Sequence, residues 1–202
     1  GNQQLPCDYG STFAPTPSKR SFRLLYALAA KRGWEAHGCD VKTAFLHGKL
    51  EEEERVRVVL PKGAFGLNGE DLSEVEWEVL RSIYGLKQSP RIWHQHIAAT
   101  LKKLGFFPTK SDQCVFVSRD KNGRIQMALS LHVDDLMIVG NRADVERFKA
   151  QLKKTYDLAD DGETGYHLHI RIRWASDRSY VTLSQEEFVQ DLLETTGMVN
   201  AR

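Results

Sequence analysis

Two adjacent carboxylates interrupt the most apolar part of this chain. Leu129, Leu131 and Val133 alternate with Ser130 and His132, which is the period of a strand. After Asp134-Asp135 comes a second apolar run, Leu136 to Val139, which Gly140-Asn141 stops. The stretch reads as a tight hairpin inside a sheet, with Asp134 and Asp135 at its tip. Asp is common at turns because its side chain bonds to nearby backbone. Two carboxylates on a rigid hairpin also concentrate the charge that holds a divalent metal. The rest of the chain has to decide between these readings.

A length of 202 residues suits one domain, or one domain plus a fragment, and 41% hydrophobic residues suffice for a core. Lys and Arg number 28 against 27 Asp and Glu, so total charge does not announce a nucleic-acid partner. It does not exclude one, because distribution matters more than the sum. Cys7, Cys39 and Cys114 are too far apart for a zinc ribbon and too few for a disulfide framework. A reducing intracellular location is therefore expected. No apolar run approaches membrane-spanning length and no signal-peptide pattern opens the chain, so no membrane partner is expected.

Residues 1–17 are polar and irregular. Ser18 is a helix N-cap for a stripe of Phe22, Leu25, Leu28 and Ala29, stopped by Gly33. Residues 34–45 read as a strand running into a turn or short helix. Arg55–Leu60 and Val75–Leu80 alternate and should pair across a glycine-rich loop. Ser89 caps a helix with Pro90 in its first position, and Trp93, Ile97, Leu101 and Leu104 form its stripe. A strand at Cys114–Ser118 and the Asn122-Gly123 turn lead into the opening hairpin. Val145, Phe148, Leu152 and Tyr156 mark a further helix with Lys149, Lys153 and Lys154 on its wet side. An acidic turn at 160–163 and one half-buried strand from Tyr166 to Trp174 follow. Tyr180–Leu183 is a short return strand, and Ser184 with Glu187 forms a capping box for a last helix. Helices and antiparallel strands without strict alternation predict an α+β fold, with helices packed on one face of an antiparallel sheet.

Asp40 ends one predicted strand, and Asp134-Asp135 end another. Were those strands neighbours, three carboxylates would converge and raise one another's pKa until a cation neutralised them. Mg²⁺ suits oxygen ligands and substrate phosphates, and paired ions can activate an attacking oxygen while stabilising a leaving one. Other candidates are weaker. His94 and His96 are two apart on a helix and point different ways. His167 and His169 share one strand face and read as solvent-facing. Lys102, Lys103, Lys149, Lys153 and Lys154 could touch phosphate, though a wet helix face explains them as well.

At this point the motifs add up. Asp8-Tyr9, Thr12-Phe13-Ala14-Pro15, the long block from Leu24 to Glu53, SIYGLKQSPRIW (82–93), the segment 105–117, HVDDLMIVG (132–140) and YVTLSQEEF (180–188) occur in this order. Together they resemble the reverse transcriptase of copia-type LTR retrotransposons, part of a Pol polyprotein. The resemblance implies a right-hand polymerase palm with partial fingers and the start of a thumb. It divides the chain into a lead-in and first helix (1–33), a palm with a fingers insertion near 50–80 (34–175) and the beginning of a thumb (176–202). It implies RNA- and DNA-templated DNA synthesis with two Mg²⁺ ions, Mn²⁺ being a possible substitute. Asp40 and Asp134 would bridge the metals with the Val41 carbonyl as a further ligand, and Asp135 would complete the cluster. Ala44, Phe45, Tyr84, Gln88, Ser89 and Pro90 would form the nucleotide pocket. Phe45 would serve as the gate against a 2′-hydroxyl, although such a ring also makes a good core residue. His132, Val133, Arg91 and His169 would meet primer and template. The implied partners are an RNA template, a DNA primer, dNTPs and other Pol- or Gag-derived domains. The implied location is the cytoplasm, in a virus-like particle with nuclear access.

The chain departs from the family pattern at several places. His132 stands where a Tyr is usual and His169 where a Gly is usual, and RVRVVLPKGAF diverges from the family's segment. Set against the family pattern, the chain is expected to lack the preceding basic strand, the full thumb and the RNase H domain, and so it reads as a palm-centred fragment. These departures motivate a competing expectation, a catalytically impaired or co-opted nucleic-acid-binding or assembly module. Another palm-like phosphotransferase would explain the carboxylates but not Gln88-Ser89-Pro90.

Overall fold

The computed structural model describes residues 4–5, 9–73 and 75–199, so Cys7 and Asp8 lie outside the described residues. In chain order the elements are α1 (Lys19–Arg32), β1 (Glu35–Val41), two short 3₁₀ turns (Ala44–His47 and Glu52–Glu54), β2 (Val56–Val59), β3 (Glu76–Val79) and α2 (Ser89–Lys103). There follow β4 (Phe107–Pro108), β5 (Val115–Arg119), β6 (Ile125–His132), β7 (Asp135–Gly140), α3 (Arg142–Leu152), β8 (Leu158–Glu163), β9 (Tyr166–His167), β10 (Ile170–Trp174), β11 (Val181–Ser184) and α4 (Glu186–Thr195). The chain divides into two compact units, one of residues 1–15 and 43–103, the other of 16–42 and 104–202. Among the described residues no helix is long and apolar enough to cross a membrane.

The larger unit is built on an antiparallel six-stranded sheet in the order β4-β5-β6-β7-β1-β8. The expected hairpin is β6–β7, and Val133-Asp134 is its two-residue turn between the paired His132 and Asp135. Leu136, Met137, Ile138 and Val139 are all buried. A strand without alternation needs cover on both faces. On one face α1 packs Phe22, Leu25, Tyr26 and Ala29 against Ala36, Ala128, Met137 and Val139, with Ile172 of the smaller sheet β11-β10-β9 in the same cluster. Helix α1 holds there because Ser18 Oγ accepts from the Ser21 amide and Gly33 closes the helix at φ 62. Each of its large apolar side chains contributes about 1.5–3 kcal/mol on burial. Helix α3 takes the other face: a Cβ on Gly140 would lie 3.3 Å from Val145 Cγ2, and Lys149 reaches His37. Those residues alternate with the set under α1, so helices on one face only is corrected to cover on both faces.

Four further expectations change in this unit. The acidic segment 160–163 is not a turn but part of the edge strand β8, which pairs with β1 across a bulge. Its pairing rests on backbone bonds that its polar side chains do not announce. The run Tyr166–Trp174 is not one strand: Leu168 and His169, at φ 47 and 61, fold it into the β9–β10 hairpin. Lys149 is not on a wet face but buried. The capping box does not close as expected. Ser184 Oγ accepts from the Glu186 amide, while Glu187 pairs with Arg171 instead.

The smaller unit carries the β2–β3 hairpin in the anticipated pairing, Val56 opposite Val79. Leu50, Val56, Leu86 and Ile92 form its core cluster. Helix α2 buries Ile92, Trp93, Ile97 and Leu101, in keeping with the predicted stripe. The helix begins at Ser89 itself, whose hydroxyl donates to the Ile83 carbonyl at 2.7 Å rather than capping. Its role is to fasten the preceding turn.

Candidate active site

Asp40 is the penultimate residue of β1 and Asp135 the first of β7. They are direct cross-strand partners, and Asp135 also faces His132 across the hairpin. Side chains of paired residues project from the same face, so Asp40, Asp135 and His132 form one row. Asp134 occupies the adjoining turn, and its carbonyl accepts from the Val41 amide at 3.0 Å. That bond ties the turn to the end of β1. Val133 beside it adopts φ 57, an uncommon conformation for a β-branched residue. Such strain persists only where surrounding structure holds it.

Burial, together with the charges of Asp134 and Asp161, raises the Asp40 carboxyl above its usual range. Burial, Asp134 and Asp40 raise Asp135 likewise. Asp161 is the residue that sequence reasoning missed. It is the unpaired residue of the β8 bulge opposite Gly38-Cys39, and its Oδ2 lies 3.2 Å from where a Gly38 Cβ would stand. The glycine makes room for it on the face that Asp40 shares. Asp160-Asp161-Gly162 reads as a turn in sequence, and nothing local marks a bulge.

Among the described residues no three His, Cys, Asp or Glu side chains already converge on a metal point. The donor chemistry nevertheless fits a divalent cation such as Mg²⁺, which takes carboxylate oxygens. A cation would also relieve the repulsion that raises both carboxyls.

A cavity of about 410 Å³ opens beside the row, lined among others by Phe22, Arg23, His132, Leu168, His169 and Phe188. His169 sits in the left-handed β9–β10 turn, exposed, with its ring 5.8 Å from Phe188 and its Nδ1 3.4 Å from the Tyr166 hydroxyl. His167 is not solvent-facing. It is buried and stacked on Phe22 at 5.6 Å, and burial pushes it down to about 4. The two histidines therefore do not share a strand face.

In the smaller unit, Phe45 and the exposed Tyr84 meet with ring centroids 4.8 Å apart, and Ala44 is buried at the start of the same 3₁₀ turn. Gln88 and Ser89 are fully buried. Gln88 is hydrogen-bonded to Gln4 and to the Glu54 carbonyl. Pro90 is the second residue of α2. Arg91 donates to Glu54 at 2.5 Å, to the Ser11 carbonyl and to Gln95. Gln88, Ser89 and Arg91 thus brace the unit, while Phe45 and Tyr84 present surface.

A family model described as reverse transcriptase (RNA-dependent DNA polymerase) matches residues 1–202. The chain is 34% identical over 201 residues to the retrovirus-related Pol polyprotein from transposon TNT 1-94 of Nicotiana tabacum, covering 99% of this chain and 15% of that protein. It is 30% identical over 202 residues to the Pol polyprotein from transposon RE1 of Arabidopsis thaliana, covering 100% of this chain and 13% of that one. A putative transposon Ty5-1 protein of Saccharomyces cerevisiae is 31% identical over 151 residues, which is 74% of this chain and 46% of that protein. The chain thus spans only a small part of its plant relatives. No solved structure matches it.

Proposed function

We propose, from the premise that this chain belongs to the reverse transcriptase (RNA-dependent DNA polymerase) family and is related to copia-type transposon Pol polyproteins, that it carries the nucleotidyl-transfer centre of such an element. The observation that carries the proposal is the register of Asp40 against Asp135, with Asp134 in the turn bonded to Val41. In this reading 1–33 is a lead-in and first helix, 34–175 the palm with a fingers insertion near 50–80, and 176–202 the start of a thumb.

Asp40, Asp134 and the Val41 carbonyl would hold two divalent ions, Mg²⁺ or Mn²⁺, with Asp135 completing the acidic set. When bound, such ions lower the pKa of an attacking hydroxyl and stabilise the charge on a leaving pyrophosphate. The chain's own residues do the rest. The strand pairing fixes the backbone at Asp40 and Asp135 before substrate arrives, which limits the reorganisation left to their side chains. Phe45 and Tyr84 would offer two aromatic rings, tilted by 57°, to a nucleotide sugar, with Phe45 as the gate against a 2′-hydroxyl. Ser89 fastens the turn next to Tyr84 through the Ile83 carbonyl, and Gln88 and Pro90 would complete the pocket. His132 and His169 border the cavity where a primer end would lie, with Val133 next to His132 in the turn, and Arg91 would support the template side through Glu54. The partners are an RNA template, a DNA primer and dNTPs, with other Pol- or Gag-derived domains in a longer polyprotein. The site of action is the cytoplasm, in a virus-like particle with nuclear access.

Primer extension on an RNA template with Mg²⁺ tests this. Wild-type chain should extend, and Asp134→Ala should lose at least about 10²-fold in rate. Equal extension by both proteins would sink the assignment. His132 in the carboxylate row and His169 in a left-handed turn favour a second reading, a nucleic-acid-binding module without turnover. That reading expects duplex binding by wild-type chain with no extension under any divalent ion.

A further inference from the structure

We propose that Lys149 and Asp160 are positioning residues for Asp40, an ion pair with a buried cation and a partly exposed carboxylate that locks the edge strand β8 onto β1 from the face opposite the acidic row. The inference rests on the reading of Asp40 as a metal ligand. It answers how a strand with so little apolar content stays in place. Strand β8 reads Leu-Ala-Asp-Asp-Gly-Glu, has no fully buried residue and lies at the sheet edge. An edge strand of that composition frays readily. Yet it pairs with Asp40 through Ala159 and with Val41 through Leu158, on the flank of β1 away from Asp135.

Asp160 supplies the missing anchor. Its Oδ1 accepts from Lys149 Nζ and its Oδ2 from Lys153 Nζ, both at 2.8 Å, and Oδ1 also accepts from the Gly162 amide at 3.1 Å. The Lys149 side chain is only 3% exposed. It also donates to Glu146 at 2.9 Å and to His37 Nδ1 at 3.1 Å. A charged amine can only donate, so Nδ1 accepts, and His37 Nε2 carries the proton toward Glu35 at 2.7 Å. One buried cation thus joins α3, β8 and β1. A desolvated charge cannot be left without its partner at small cost, so the pair holds one geometry. With Asp160 fixed below the sheet, the bulge turns Asp161 above it, over Gly38 and two residues from Asp40. The clamp therefore sets both the end of β1 and the fourth carboxylate on its face.

The test compares the wild-type chain with Lys149→Met, Lys149→Arg and the double variant Lys149→Met/Asp160→Leu. Amide hydrogen exchange and Mn²⁺ binding are the readouts. Lys149→Met should lose protection in β8 and β1, keep it in β5 and β6, and bind Mn²⁺ about tenfold more weakly or worse. Lys149→Arg should recover most of both. A folded Lys149→Met chain with wild-type exchange in β8, or with wild-type Mn²⁺ affinity, overturns the proposal. If Lys149→Met does not fold, the double variant decides, since removing both charges spares the buried-charge penalty. Weak Mn²⁺ binding by that folded variant supports the clamp, and wild-type binding overturns it. Primer extension by the wild-type chain is scored separately. A chain that extends nothing fails the polymerase reading, while exchange and Mn²⁺ binding still decide the clamp.

Discussion

Asp40 and Asp135 hold protons more tightly in the folded chain than in water, because burial and neighbouring carboxylates disfavour their charged forms. A raised folded-state pKa contributes stability that is present below the unfolded value and lost as pH rises through the folded one. At neutral pH both groups therefore cost stability. Asp135→Asn should raise the melting temperature at neutral pH, and the gain should vanish in acid below the carboxylate range. Calorimetry across pH checks this, and a lower melting temperature at neutral pH would refute it. His169 poses a related conflict in its backbone. At φ 61 a non-glycine residue carries about 1–2 kcal/mol of strain. His169→Gly should recover about 1 kcal/mol, less whatever the ring gains against Phe188, read from urea denaturation. The sequence showed which residue stood there. It did not show that the backbone turns at that point, because Tyr166–Trp174 alternates well enough to pass for a single strand.

At the scale of elements, packing of α3 on β7 depends on a residue with no side chain. A Cβ on Gly140 would fall 2.6 Å from Met127 Cγ and 3.3 Å from Val145 Cγ2. Met127 can swing away, but Val145 is buried and stiff at χ1. Gly140→Ala should therefore destabilise by about 1–3 kcal/mol in chemical denaturation. No loss would mean that α3 sits more loosely than the contact implies. Helices α1 and α2 and the hairpins β2–β3 and β6–β7 were legible because caps, periodicity and turn chemistry are local signals. Strand β8 was not. Its hydrogen bonds come from β1, more than a hundred residues earlier, and its side chains face mostly water. A lysine on a helix normally belongs on the wet face, and Lys149 departs from that rule. Only Asp160, Glu146 and His37 around it make burial tolerable.

For the whole molecule, the charges nearly cancel at a net +1. Nucleic-acid binding must then come from local distribution of cations. The logarithm of the affinity for an RNA–DNA duplex should fall linearly with log salt, and fluorescence anisotropy across a salt series measures the slope. A flat line would argue against phosphate contacts and so against both the polymerase reading and the binding-module reading. By itself the sequence determined the α+β class, the central hairpin and the family, and it singled out Asp40, Asp134 and Asp135 as the candidate site. Those follow from short-range periodicity and from ordered motifs, which survive without coordinates. Only the tertiary structure decided that β1 lies beside β7, so that Asp40 faces Asp135. It alone brought Asp161 over Gly38, covered the sheet on both faces and buried Lys149. Each of these depends on which distant strands share backbone hydrogen bonds, and strand pairing is a property of the folded chain rather than of any local stretch.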